Sequence, residues 1–326
     1  MNKEMLKMSF GKYLNPVNYT RKGGYLLNKY ILHYIDIIKA PFYDTHLKYP
    51  PIFFLGAPRS GSTLMMQVLT DTFDFGYISN RHCQFFGMPC LAENIFHPLK
   101  NKKISDYKSY HGITRGVYAP AECGEWWYRF FRRKPAYVPH DQAGSYKMRC
   151  FRRSVASLTN ALSRPVLFKN LYATLRIRPI LEHIPEALFI IVKRDELDNG
   201  HSLLEARNKV FNTYDNWWSM EPPSVEQLKR LPAYAQVIEQ IRHINALIDQ
   251  DIADSKVTRS RFHQIVYEEF CSDVHKSLSE FDTFLKSHGV ETDKKFDVPE
   301  RFHLHKGVRI NQNLYNKMKE YVYAGS

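Results

Sequence analysis

Residues 53–69, FFLGAPRSGSTLMMQVL, run from an unbroken apolar stretch through a Gly/Pro/Ser turn into an apolar pattern at helical spacing. A strand, a tight loop and a helix in that order constrain the fold more than any other stretch, because the free amides at the helix N-terminus then face the end of a buried strand. Gly56 and Gly61 keep the spacing of the loop G-x-x-x-x-G-K-[ST], but Ser62 stands at the position of its lysine. The N–H groups from Gly56 to Thr63 are expected to face an anion, with the hydroxyls of Ser62 and Thr63 and the guanidinium of Arg59 beside them. A triphosphate site needs the missing lysine and a magnesium-binding aspartate at a neighbouring strand end, and neither is evident. The bland alternative is a glycine-rich turn without a ligand.

The remaining chain alternates strands and helices. After IFFL and a helix over 62–72, strands are expected at 76–78 (GYI), 166–168 (VLF), 187–192 (ALFIIV) and 263–266 (HQIV), with a helix from about 199. Apolar runs this continuous belong to strands buried on both faces. The expected fold is therefore α/β: a P-loop-type parallel β-sheet flanked by helices on both faces. Residues 80–160, rich in aromatics and arginine, exceed a plain crossover and are expected to form a helical, aromatic insertion on the substrate side. Residues 1–50 read as a basic helical extension packed on or near the core, and 51–326 as a single domain.

Lysine and arginine exceed aspartate and glutamate by 13, which calls for an anionic partner. The basic residues are spread along the chain without a nucleic-acid-binding motif, so no nucleic acid is expected. Five cysteines with no C-x-x-C pair suggest neither a disulfide framework nor zinc. His303 and His305 lack a nearby third ligand, and no metal is expected. With no apolar span and no signal-peptide pattern, a cytoplasmic location is expected. Packing is the expectation for residues 25–42; peripheral contact with the inner membrane surface is the alternative.

APRSGSTLMMQVL resembles the 5′-phosphosulfate-binding loop, P-[KR]-S-G-[ST]-T, of sulfotransferases that use 3′-phosphoadenosine 5′-phosphosulfate (PAPS). Pro58, Arg59, Ser60, Gly61, Ser62 and Thr63 match it position by position. A donor with a single 5′-phosphate bearing a sulfuryl group needs no lysine for a γ-phosphate. In that family an Arg and a Ser eight residues apart, after a later strand, bind the 3′-phosphate; ALFIIVKRDELDNGHSLLEAR offers Arg194 and Ser202, with Asp198 or Asn199 as the expected helix cap. YISNRHCQFFGMP, APAECGEWWYRFF, VLFKNLYATLRIRPIL and HQIVYEEFC are similar to further blocks of bacterial sulfotransferases, so the resemblance spans about residues 50–275. Ser62 replaces the more frequent Thr, and Glu196 a frequent Pro.

The resemblance implies in-line sulfuryl transfer, which requires cations at the leaving oxygen and a base for the acceptor hydroxyl. Arg59 and Lys169 are the candidate cations. Cytosolic members carry Lys-x-His on the strand of Lys169, whereas this chain reads Lys169, Asn170, Leu171, so the base must lie elsewhere. Glu122 and Glu125, three apart and expected on one helix face, are the candidates, with Glu125 favoured. His82 is a lesser one, and Asn80 is a candidate to bind substrate. Lys306 and Arg309 around Gly307 resemble the basic loop that closes over the 3′-phosphate. EWWYRFF and NWWSM read as core packing, with sugar stacking as the alternative.

The function expected is PAPS-dependent transfer to a hydroxyl-bearing glycan or lipid, a carbohydrate or glycolipid, with adenosine 3′,5′-bisphosphate as product. The rivals are a P-loop kinase or NTPase and a non-catalytic binder of nucleic acid or anionic lipid.

Overall fold

The computed structural model describes residues 16–39, 45–96, 105–108, 114–139, 142–255, 257–304 and 307–324. Its strands fall where the apolar runs place them: β1 (Ile52–Gly56), β2 (Gly76–Tyr77), β3 (Val166–Phe168), β4 (Leu188–Lys193) and β5 (Phe262–Val266). All pair in parallel, in the order β2-β3-β1-β4-β5.

Every residue of β1 and β3 is buried, which is why these segments read as unbroken apolar runs. Their side chains nevertheless alternate between two layers. Phe53, Leu55, Phe168, Phe189 and Ile191 enter one layer, and Ile52, Phe54, Leu167, Leu188 and Ile190 enter the other.

The first layer is closed by helix Ser145–Leu162, through Phe151, Val155 and Leu158, and by the aromatic block at 126–131. Trp126 stacks on Phe168 at 5.6 Å between centroids, and Trp127 meets Phe53 edge-on at 5.9 Å. The tryptophans and phenylalanines of EWWYRFF are thus core. Helices Ser62–Thr72 and Val274–Ser287 close the second layer. A third apolar cluster joins helices Glu196–Phe211, Ala233–Ala253 and Gln312–Ala324.

Two local expectations are corrected. The helix after β4 starts at Glu196, not near 199: Asp195 is its cap, accepting the Asp198 N–H at 2.9 Å. Ser202 therefore lies in the second turn. The 76–78 strand is two residues long, a short edge that offers little to a passing strand.

β1 lies between β3 and β4, with Phe53 opposite Phe168 and Gly56 opposite Val192. The carboxyl ends of all three strands thus meet where the strand order switches direction, the edge at which open α/β sheets place their ligands. At the N-terminus, helices Pro16–Leu27 and His33–Lys39 are joined by a π-helical turn, Asn28–Leu32. No described helix is long and apolar enough to cross a membrane.

Candidate active site

The loop after β1 is shaped by backbone that only small or strained residues adopt. Gly56 has φ 146°, and a Cβ there would lie 2.7 Å from the Val192 carbonyl oxygen. Gly61, at φ 96°, has no room either, since a Cβ would fall 2.1 Å from the ring of Tyr267. Arg59 is left-handed at φ 67° without being glycine. Gly61 is the N-cap of helix Ser62–Thr72 and supplies no side-chain cap, so the first amides and the positive end of the helix dipole remain for a ligand.

A cavity of about 620 Å³ opens in front of this loop, lined by Pro58, Arg59, Gly61, Ser62 and Thr63. Ser60 is buried behind the lining, and its hydroxyl has no hydrogen-bond partner. From the ends of β3 and β4 come Lys169 and Arg194, from the next helix Ser202, and from the C-terminal segment Arg309.

These cations are interlocked. Arg194 donates to the Arg59 carbonyl at 3.0 Å and lies 4.8 Å over the Tyr267 ring, while its buried Nε has no hydrogen bond. Arg59 donates from Nε to the Ser202 hydroxyl at 3.2 Å. Asn199, with its amide turned to satisfy both neighbours, donates to the carbonyls of Pro58 and Arg59. Burial first, then the charges of Arg194 and Arg309, pull the Arg59 pKa below its ordinary value, with Glu205 opposing. Positive charges so crowded leave a field that an anion relieves.

On the other side, Lys169 Nζ donates to Thr63 Oγ1 at 2.9 Å and to Glu122 Oε1 at 2.5 Å. The lysine side chain is 4% exposed while Glu122 remains 40% exposed, so the ammonium is fixed and the carboxylate still faces the cavity. Asn170 donates to the Glu122 carbonyl at 3.3 Å and caps the following 3-10 turn by accepting from Tyr172 N–H.

The two glutamates do not share a helix face. Cys123 adopts φ 46° and caps helix Gly124–Trp127, so Glu122 precedes the helix and Glu125 leaves from its first turn. Glu125 is held by Arg133 Nη2 at 2.7 and 2.6 Å and does not line the cavity.

Asn80 and His82 stand apart from the cavity as well. His82 is 3% exposed, with Nδ1 3.0 Å from the Ser79 N–H and Nε2 3.0 Å from Glu93. Asn80 donates to the carbonyls of Thr114 and Gly116 at 3.0 and 2.8 Å. Lys306 and His305 lie outside the described residues.

Other cavity residues carry weaker signals in the sequence. Arg309 is held by Glu205, 3.0 Å from its Nε, and by His201, whose Nε2 accepts the Arg309 N–H at 3.0 Å. His201 and Glu205 are four apart on the helix carrying Ser202, a spacing that puts them on one face. Burial and the Arg309 charge lower the His201 pKa. Burial pushes Glu205 up, but Lys209 and Arg309 bring it net below the ordinary range. Tyr267, directly after β5, has its hydroxyl pushed up to about 12 by burial. Trp218 lines the cavity, which separates NWWSM from the buried tryptophan pair of EWWYRFF.

The sulfotransferase family model matches residues 50–286, well over half of the chain and the whole sheet. The chain belongs to the sulfotransferase family. This sulfotransferase-family chain is 21% identical over 277 residues to the omega-hydroxy-beta-dihydromenaquinone-9 sulfotransferases Stf3 of Mycobacterium bovis and Mycobacterium tuberculosis. The match covers 74% of this chain and 66% of each relative, so the chain spans just under two thirds of their length. Among solved structures, sulfotransferase STF9 from Mycobacterium avium aligns at 15% identity and TM-score 0.49 over 90% of this chain and 72% of that one. Sulfotransferase STF1 from Mycobacterium tuberculosis H37Rv aligns at 13% identity and TM-score 0.49 over 94% and 80%.

Proposed function

We propose that this chain transfers a sulfuryl group from PAPS to a hydroxyl on a lipid or glycolipid. Bound PAPS supplies the sulfuryl group on its 5′-phosphate, with adenosine 3′,5′-bisphosphate as the leaving species. The residues present fit such a donor: an uncapped helix N-terminus, an Arg194 Nε that makes no hydrogen bond, and the five lysine and arginine side chains Arg59, Lys108, Lys169, Arg194 and Arg309 lining one cavity. The loop amides, Arg59, Ser62 and Thr63 hold the 5′ end, and Arg194, Ser202 and Arg309 hold the 3′-phosphate.

The observation that carries the reading is the bridge made by Lys169 between the Thr63 hydroxyl of the loop and the Glu122 carboxylate. One buried ammonium joins the anion cradle to a carboxylate facing the same cavity. Lys169 stabilises negative charge developing at the loop, and Glu122 takes the proton of the acceptor hydroxyl. Glu125, tied to Arg133, has no part in this step.

Leu171, Tyr172, Trp218 and Met220 line the cavity and favour an acceptor with an apolar body. The Stf3 relatives are named for a hydroxylated menaquinone, which supports a lipid-borne hydroxyl over a free sugar. Incubation with ³⁵S-labelled donor and matched sets of hydroxylated lipids, glycolipids and free sugars tests this; label only in free sugars rejects the acceptor class. Thermal stabilisation by adenosine 3′,5′-bisphosphate should exceed that by ATP, and the reverse order rejects the donor.

A further inference from the structure

Polar side chains help fasten the helical segment 16–39 to the protein. Asn28, 3% exposed, donates to the Gln84 carbonyl at 2.9 Å and accepts the Gly87 N–H at 2.9 Å. Asp36 receives Arg129 in an ion pair at 2.7 Å. The backbones touch: a Cβ on Gly87 would lie 2.5 Å from the Asn28 carbonyl oxygen. On the same side Leu32 is buried, and Tyr25 packs on Phe86 with centroids 5.7 Å apart.

The opposite face is apolar and open. Leu26, Leu27, Tyr30, Ile31, Tyr34 and Ile38 recur along one side and are exposed, from 42% for Leu27 to 69% for Ile38. They make up six of the thirteen exposed large apolar side chains among the described residues, the others being scattered from Ile95 to Tyr323. An ordinary surface helix has the reverse arrangement, apolar side inward and polar side in water.

Charge selects what covers this face. Lys22, Lys29 and Lys39 are exposed on the segment, and Asp36, the sole acid in 16–39, is matched by Arg129. A second copy of the chain would bring lysines against lysines and one net charge of +13 against another. An anionic bilayer satisfies both the apolar side chains and the lysines, and Tyr30 and Tyr34 suit the headgroup level. We infer that the outer face of residues 22–39 docks the protein on an anionic lipid surface. Leu26, Leu27, Ile31 and Ile38 enter the acyl boundary, and the lysines meet lipid phosphates. This goes beyond the reading of the cavity and does not depend on it.

The test is flotation of the full chain with vesicles of phosphatidylglycerol and phosphatidylcholine, against phosphatidylcholine alone. The protein floats with the anionic vesicles and much less with the neutral ones. Ile31→Ser with Ile38→Ser lowers the partition coefficient at least about tenfold, since each loses apolar area from the bilayer. Lys22→Glu with Lys29→Glu keeps the apolar face and lowers anionic binding by about tenfold or more, leaving neutral vesicles unaffected. Unchanged thermal midpoints establish that both variants are folded. Wild-type protein that stays unbound to anionic vesicles, or serine variants that float equally well, overturns the inference. So does a vesicle-independent dimer, seen by sedimentation velocity, that the serine pair dissolves.

Discussion

Lys169 is the side chain on which the two halves of the cavity meet. Lys169→Ala removes the ammonium shared by Thr63 and Glu122. Turnover should fall by roughly 10²-fold, with bisphosphate affinity changed only a few-fold, by initial rates and calorimetry. Glu122→Gln should lower turnover by about 10²-fold or more, as expected for a lost general base, while Glu125→Gln stays near wild type. Equal losses in both would remove the assignment of the base to Glu122. Lys169 was legible in the sequence because it ends an apolar strand. The choice between the glutamates was not, because the left-handed turn at Cys123, φ 46°, breaks the helical spacing that made them look alike. His82 misled for a similar reason: its residue type suggests chemistry, but Ser79 and Glu93 occupy both ring nitrogens.

Among elements, the strands were the most legible, since burial on both faces leaves runs such as FFL and FIIV that fit little else. Helix starts were less so. Asp195, Asp198 and Asn199 are all competent caps, and Asp195 serves because the helix must begin as soon as β4 ends. Asp195→Ala should cost about 1 kcal/mol in urea denaturation. The loop glycines carry a stronger demand. Gly61→Ala places a methyl group against Tyr267 in a backbone conformation that alanine resists, at φ 96°. A loss of about 1–3 kcal/mol is expected, with weakened bisphosphate binding because the helix N-terminus must shift. Wild-type stability and affinity in this variant would mean that the loop relaxes freely.

Over the whole molecule, stability should depend on pH through a group remote from the cavity lining. Asp251 is 1% exposed, 3.3 Å from the Tyr137 hydroxyl and 4.0 Å from Arg178 Nε. Burial raises its carboxyl to about 6, and neither partner cancels that effect. Between about pH 4 and 6 the folded chain keeps a proton that the unfolded chain releases. Stability therefore declines as pH rises through that window and stays lower above it, by on the order of 3 kcal/mol. Asp251→Asn should flatten this dependence and raise the thermal midpoint at pH 8; parallel pH profiles for both proteins would exclude it. Contacts of this range were the least legible part of the sequence. The hold of His201 and Glu205 on Arg309 joins positions about a hundred residues apart, and no local pattern encodes such a meeting.

Arg59 is gripped from both directions, its carbonyl by Arg194 and its guanidinium by Ser202. On the proposed reading, the separation of the two anchoring groups is thereby set before anything enters, and the pocket works as a gauge of length. A nucleoside carrying one phosphate, at either carbon, reaches a single stop of that gauge and should be held far more loosely than one that touches both.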